Sequence, residues 1–418
     1  MNAATLDYHE TRRATAMPLT TGLGVSGEAF AEIRRRLVLD HCKWDPQVGD
    51  VCTLAQFPLV MPRSCWRQLA RDAEQLAAET VRAEEYLIRS PALWRLIGVP
   101  WRLRRALLRG GRKSVTPAAV RVMRFDFHFT TEGWRVSEVN SDVPGGYCEA
   151  SSFTQLIAEH FPDFRVAGDP GELWASAMVA RATGPMALLS APGFMEDQQV
   201  VAYLAKQLRK RGCHAILTEP AQLRWRDGYA YFGEVRLSAI VRFYQVEWLA
   251  NLPRRCEWWN LLAGGRTPVS NAGAALLTES KRFPLAWAAL PFDLPTWQRL
   301  LPEPRDPRDA PWERDDGWLI KSAYCNTGDT VMIRELAEVQ RWRKAARAAR
   351  WHPKKWVAQR RFETVPLASP IGAVYPCVGV YVIDGVAAGA YARISRGPVV
   401  DYRAIDIALL LSEEADDE

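Results

Sequence analysis

No apolar run in this sequence approaches the length of a membrane span. The opening residues, MNAATLDYHETRRATAMP, also lack the basic-then-apolar layout of a signal peptide. Both absences lead to the expectation of a cytoplasmic protein. The eight cysteines are dispersed without a CxxC pair, which argues against a zinc knuckle or a disulfide framework and leaves most of them as buried thiols. A Walker-type phosphate loop is missing too. So is a strong charge of either sign: a net +6 over 418 residues suits an anionic ligand but is modest for a nucleic-acid binder. The most basic stretch, RWRKAARAARWHPKKW from Arg341, reads as a helix with a solvated charged face in preference to a polyanion site. What is present is a 48% hydrophobic composition, enough for an ample core shared by two or three subdomains.

Residues up to about 115 read as mainly helical. EAFAEIRRRLVL and SCWRQLARDAEQLAAETVRAEEYLI space their apolar residues by three and four, Ser64 is placed to cap the second, and a boundary is expected near Arg112. From Arg124 comes RFDFHFTTEGWRVSEVNSDVPGG. Phe125, Phe127 and Phe129 alternate with Arg124, Asp126 and His128, the period of a strand with one apolar and one polar face. A second strand follows from Trp134. A four-residue loop would set Asp126 beside Ser137, whereas an odd-length connection or a bulge brings Arg124, Asp126 and Glu138 to one face. The odd-length connection is expected. Asp126, Glu138 and Asn140 then offer hard oxygen ligands of the kind Mg²⁺ takes, one or two carboxylates with substrate phosphates completing the octahedron. The same residues also fit a charged hairpin face on which Arg124 pairs with its acidic neighbours.

The Arg-x-Asp, Glu-x-Asn and following Asn-x-Asp-x-Pro pattern resembles the synthetase domain of the glutathionylspermidine synthase family, and the blocks in family order run from roughly residue 115 to 400. The resemblance implies an ATP-grasp fold that uses ATP and Mg²⁺ to join a carboxylate to an amine. It makes Asp126, Glu138 and Asn140 the metal ligands and sets Arg124 and Arg393 at the transferring phosphate. Lys281, in SNAGAALLTESKRFPLAW, and Lys321, at the end of WLIK, become phosphate-binding cations. The loop with Asn326 and Gly328 becomes a lid over the triphosphate, followed by TVMI as a returning strand. Gln359 and Arg360, at the end of the strand in WVAQRR, correspond to the adenine edge. VGVYVIDGVAAGAYARIS reads as a hairpin around Asp384-Gly385 and ends at Arg393.

Substrate contacts are implied for Glu149, at the start of a helix after Pro144-Gly145-Gly146, and for Glu196 and Asp197. The latter open a helix at the carboxyl end of a strand in a small parallel α/β unit, where ligands of such units gather. Tyr244 and Glu247 match a family block in which Gln245 and Val246 replace Pro-Trp, so glutathione and spermidine are not inherited as substrates. No amidase-like domain is expected ahead of the ligase. LPEPRDPRDAPWERDDG reads as a surface connection and the acidic C-terminus as a disordered tail.

The expected fold class is α/β (α+β), an ATP-grasp-like core with an inserted parallel unit and a helical N-terminal layer. The divisions are 1–115 for that layer, 116–180 for the first part of the core with its hairpin, 181–265 for the small unit, and 266–418 for the remaining core. The expected activity is ADP-forming ligation of a small-molecule or peptide carboxylate to an amine, with neither membrane nor nucleic acid as partner. The alternative is a catalytically silent nucleotide-binding scaffold or peptide-binding relative.

Overall fold

The computed structural model describes residues 16–48, 51–109, 116–324 and 330–413. The boundary near Arg112, the loop residues Asn326 and Gly328, and the last five residues of the acidic tail lie outside them. The site is built on an antiparallel sheet in the order Ile405–Ile407, Val386–Ser395, Gly372–Ile383, Val122–Thr130, Gly133–Asn140. Its strands alternate as the period-two pattern requires. Phe125, Phe127, Val378, Val380, Ala390 and Ala392 are buried on one face, against the long helix Arg63–Ile88. That helix turns Leu69, Ala73, Leu76, Ala77, Ala83 and Leu87 inward at helical spacing. Pro62 occupies its N-cap position without a side-chain capping bond, so Ser64 lies inside the helix and is not the cap.

The opposite face carries Arg124, Asp126, Cys377, Tyr381, Tyr391 and Arg393, which the registers set side by side. The turn Asp384-Gly385 places both residues at positive φ, 48° and 88°, as a type I′ hairpin needs. A second sheet is parallel, in the order Val269–Ser270, Ala239–Phe243, Met186–Ser190, Ala215–Thr218. Helix Met195–Arg209 packs against it. A third sheet joins Pro304–Arg305, Trp356–Arg360 and Trp318–Ser322 and carries helix Val339–Trp351, which buries Ala345, Ala346 and Ala349 against Trp318 and Ile320. The returning strand expected in TVMI reduces to a single bridge, Ile320 to Met332. The segment expected to be a surface connection is only partly so, because Asp306 and Trp312 are buried and Asp306 accepts from Arg282 and Arg308.

The N-terminal layer closes on the C-terminus: strand Leu59–Pro62 runs parallel to Leu409–Ser412. Among the described residues no helix is long and apolar enough to cross a membrane.

Candidate functional site

The hairpin turn between the first two strands holds two residues, since Thr130 pairs with Gly133. The connection is therefore even, contrary to expectation. Asp126 nevertheless stands opposite Glu138, and Arg124 opposite Asn140, because the register shifts between Asp126 and Phe127. A bulge at Ser137 supplies the offset, and bulges re-aim side chains in this way.

Asp126 is the hub. Arg124 donates to it through Nε (2.7 Å) and Nη2 (3.0 Å), Arg393 through Nη2 (2.9 Å), and Asn140 through Nδ2 (3.2 Å). Burial alone would push this carboxyl up, but Arg124 and then Arg393 outweigh it and hold it at about 2. Tyr391 lies beneath both guanidiniums, with its ring centroid 5.0 Å from Arg124 and 5.1 Å from Arg393. Gly379 leaves the room: a Cβ there would stand 2.8 Å from Asp126 Oδ1 and from Arg124 Cδ. Oδ2 already accepts three of the four bonds, so Asp126 does not fit a metal-ligand role in this arrangement. The charged-face alternative describes it better. Glu138 and Asn140 Oδ1 remain as oxygen donors suited to Mg²⁺, which needs only one or two carboxylates beside phosphates and water. Among the described residues no cluster of three or more His, Cys, Asp or Glu side chains could hold a metal.

The two lysines meet the hairpin. Lys281 Nζ lies 3.1 Å from Glu138 Oε2, and Lys321 Nζ donates to the Ser137 carbonyl at 3.0 Å. Burial pulls Lys321 down to about 8, Glu138 opposes the shift, and the like charge of Lys281 adds to it. Beside them Gln359, Phe283, Pro284, Trp297, Leu301 and Val357 line an apolar cavity of about 30 Å³. Arg360, one residue on, faces the other way, pairing with Asp315 at 3.1 Å and lying over Trp318. On the far side of Lys321 a cavity of about 190 Å³ is lined by Asp126, His128, Glu138, Cys377 and Arg393.

The residues expected at the substrate divide. Glu149 is buried in an ion pair with Lys43 (2.5 Å), which also meets Asp406 at 3.5 Å. Tyr391 Oη donates to that Asp406 at 2.6 Å, so Glu149 braces the underside of the arginine pair. Glu196 and Asp197 open helix Met195–Arg209. Burial, then the Glu196 charge, raises Asp197 to about 7. Nearby, exposed Phe194 packs on Trp248 (5.1 Å), which meets Tyr244 edge-on (6.2 Å). Burial, then Asp142, raises Glu247 to about 7.

Three further residues hold the site: Asp142 stood in the Asn-x-Asp-x-Pro pattern without an assigned role, and Asn271 and Glu279 escaped the sequence reading. Asp142 forms a bidentate pair with buried Arg242 and accepts from Val246 N at 2.9 Å. Asn271 bonds Val122 N and the carbonyls of Val122, Ser141 and Asp142. Glu279 accepts from Ser141 N (2.5 Å) and Asp142 N (2.9 Å), and burial raises it to about 8. A charged or amide side chain inside an apolar run, as in AIVRFY and AALLTES, was the available signal, because burial is costly without a partner.

The family model for the glutathionylspermidine synthase pre-ATP-grasp region matches residues 63–408. Among solved structures, a glutathione synthetase-like effector from Globodera pallida, in its apo form, is 11% identical with a TM-score of 0.61, covering 92% of this chain and 96% of that one. A Methylobacillus flagellatus KT protein described as a gamma-glutamylcysteine synthetase is 13% identical over 76% of this chain and 86% of that one, with a TM-score of 0.38. No curated protein matches the sequence. The first structural likeness speaks to the fold alone, and that fold is ATP-grasp-like. With the family model spanning most of its length, the chain belongs to the glutathionylspermidine synthase family.

Proposed function

We propose that this protein is an ATP-dependent carboxylate-amine ligase that forms an amide through an acyl phosphate. The observation that carries the reading is the meeting of Lys281 and Lys321, from separate segments, at Glu138 and Ser137, between an apolar cavity and the arginine-lined one. A donor carboxylate oxygen attacks the γ-phosphorus, the bond to the bridging oxygen breaks, and ADP leaves. The amine nitrogen then attacks the acyl carbon, the C–N bond forms, phosphate departs and the amine gives up a proton.

Such transfer depends on alignment and on offsetting charge. Arg124 and Arg393, locked in place by Asp126, act on the transferring phosphoryl oxygens. Lys281 and Lys321 hold the other phosphates, and Gln359 marks the edge that receives the base. Glu138 and Asn140 would hold Mg²⁺, which when bound supplies further positive charge at the phosphates. Asp197, with Glu196, Glu247 and the aromatic group of Tyr244, Phe194 and Trp248, forms the acceptor side, where a carboxyl near neutrality can orient an ammonium and take its proton.

The test is magnesium-dependent ADP release across a panel of amines with peptide and amino-acid carboxylates. Lys281→Ala and Lys321→Ala should abolish it with folding intact. An unchanged rate in Lys321→Ala refutes the assignment.

A second reading, a silent nucleotide-binding scaffold, draws on two observations. The apolar cavity of about 30 Å³ has room for about one water, and the Asp126 charge is spent on two arginines. The solved neighbour described as an effector adds to it. If ATP raises the melting temperature while no acceptor releases ADP, the scaffold reading replaces the ligase.

A further inference from the structure

Three charged side chains are buried beneath the arginine pair and take no part in the chemistry proposed above. Lys43, Glu149 and Asp406 are each only 7–8% exposed. Lys43 arrives from the N-terminal layer. Helix Gly27–His41 ends with Cys42 at a φ of 60°, and the Lys43 N–H bonds the Leu37 carbonyl at 3.0 Å, the turn in which the residue after the cap folds back over the helix end. Its Nζ sits 2.5 Å from Glu149 and 3.5 Å from Asp406. Burial would pull the ammonium down, but Glu149 and then Asp406 outweigh it and raise it. The region matched by the family model begins at residue 63, so this cation comes from a part of the chain that the family does not define.

The charges are layered about Tyr391. On one side of its ring Arg124 and Arg393 share the single carboxylate of Asp126, and on the other Glu149 and Asp406 share the single cation of Lys43. Asp406 joins the two layers, because it accepts from Tyr391 Oη at 2.6 Å and pairs with Arg393 across the sheet. Gly146 closes on the ring, where a Cβ would stand 2.7 Å from Cδ1. The ring is thus tethered by its hydroxyl and hemmed in by backbone, and both guanidiniums rest against it. Replacing buried ionic groups by apolar ones is often neutral or stabilising, so stability alone does not account for a three-charge cluster here. We propose that Lys43 is a positioning residue for the arginine pair: it holds Asp406, Asp406 fixes Tyr391, and Tyr391 aims Arg124 and Arg393 at the transferring phosphoryl group. The assignment rests on the ligase reading of the site.

The test titrates the full chain, with Mg²⁺, against a non-hydrolysable ATP analogue and against ADP by calorimetry. Only the analogue carries the phosphoryl group that the arginine pair would meet. Lys43→Met should weaken the analogue about tenfold or more, the worth of one charge-assisted hydrogen bond, and leave ADP unchanged. Tyr391→Phe, which keeps the ring and cuts its tie to Asp406, should show the same selective loss. Lys43→Met/Glu149→Gln removes both charges of the pair and takes the place of the single variant if that one fails to fold. Arg36→Ala is the control: it breaks a 2.8 Å surface ion pair between helix Gly27–His41 and Glu159 and should change neither nucleotide. Equal losses for analogue and ADP show a merely structural role and overturn the proposal, as does indifference of Lys43→Met or of Tyr391→Phe. In those cases binding of the analogue by the unaltered protein spares the ligase reading, whereas no binding by the unaltered protein removes that reading and this assignment with it.

Discussion

Replacing Gly379 by alanine tests whether the guanidinium pair is held in place by packing. Gly379 pairs with Asp126 across the sheet, and an added Cβ would stand 2.8 Å from Asp126 Oδ1 and Arg124 Cδ and 2.9 Å from Arg124 Nε. Neither neighbour can swing aside, since both are buried and joined by two hydrogen bonds. Overpacking of this kind costs about 1–3 kcal/mol. The displacement falls on the groups that would align the phosphoryl transfer, where an error of about 1 Å costs on the order of 100-fold in rate. Gly385→Ala is the matched control. Its φ is +88° with nothing within 4 Å of the added Cβ, so it carries backbone strain of about 1–2 kcal/mol at the far end of the hairpin. The two variants should melt within a few degrees of each other, while ADP release falls about 100-fold in Gly379→Ala alone. Equal turnover in the two would refute the claim that this glycine makes room for the site.

Lys321, held at about 8 chiefly by burial, has a folded value below its unfolded one. The unfolded chain keeps a proton that the folded chain has lost between about 8 and 10.5, so stability should rise with pH through that window. Lys321→Met should flatten the rise and add up to about 3 kcal/mol at pH 7, read by urea unfolding at pH 7 and 9.5. A triphosphate needs the charged lysine, so ATP affinity should fall about tenfold per pH unit above that value; a flat profile to pH 9.5 would count against Lys321 as a phosphate ligand. Arg242→Leu strands the buried Asp142 carboxylate, whose side chain is 3% exposed, and should cost about 3–5 kcal/mol. Arg242→Leu/Asp142→Leu should be less destabilised than the single variant, and the reverse order would show that their pairing is not what holds the loop.

The polar face of the hairpin was legible because strand alternation is local: Arg124, Asp126 and His128 must share a side whatever the chain does elsewhere. The lysines were legible through their place in an ordered series of blocks. The route to the face was not. A two-residue turn with a bulge at Ser137 and an odd connection without one bring the same residues together, and nothing in TTEGWRVSE separates them. The ion pair of Glu149 was illegible for a related reason. Its position at a helix start suggests a ligand, and its partner Lys43 lies 106 residues away, in a segment that also meets Asp406.

Asp126 shows where local reading stops. A carboxylate on a strand beside an arginine, with a second carboxylate opposite, is the same sequence object whether it binds a divalent cation or aims guanidiniums. What differs between them is the count of cations the fold delivers to it. One arginine leaves a carboxylate with lone pairs to share. Two arginines and an amide, arriving from residues as distant as Arg393, fill Oδ2 and set the carboxyl near 2. The second arginine reaches it only because Gly379 lies between the strands that carry them. The surroundings of Asp126 are therefore written in residues more than 250 positions away in sequence. It became visible only once strands Gly372–Ile383 and Val386–Ser395 were in register beside it.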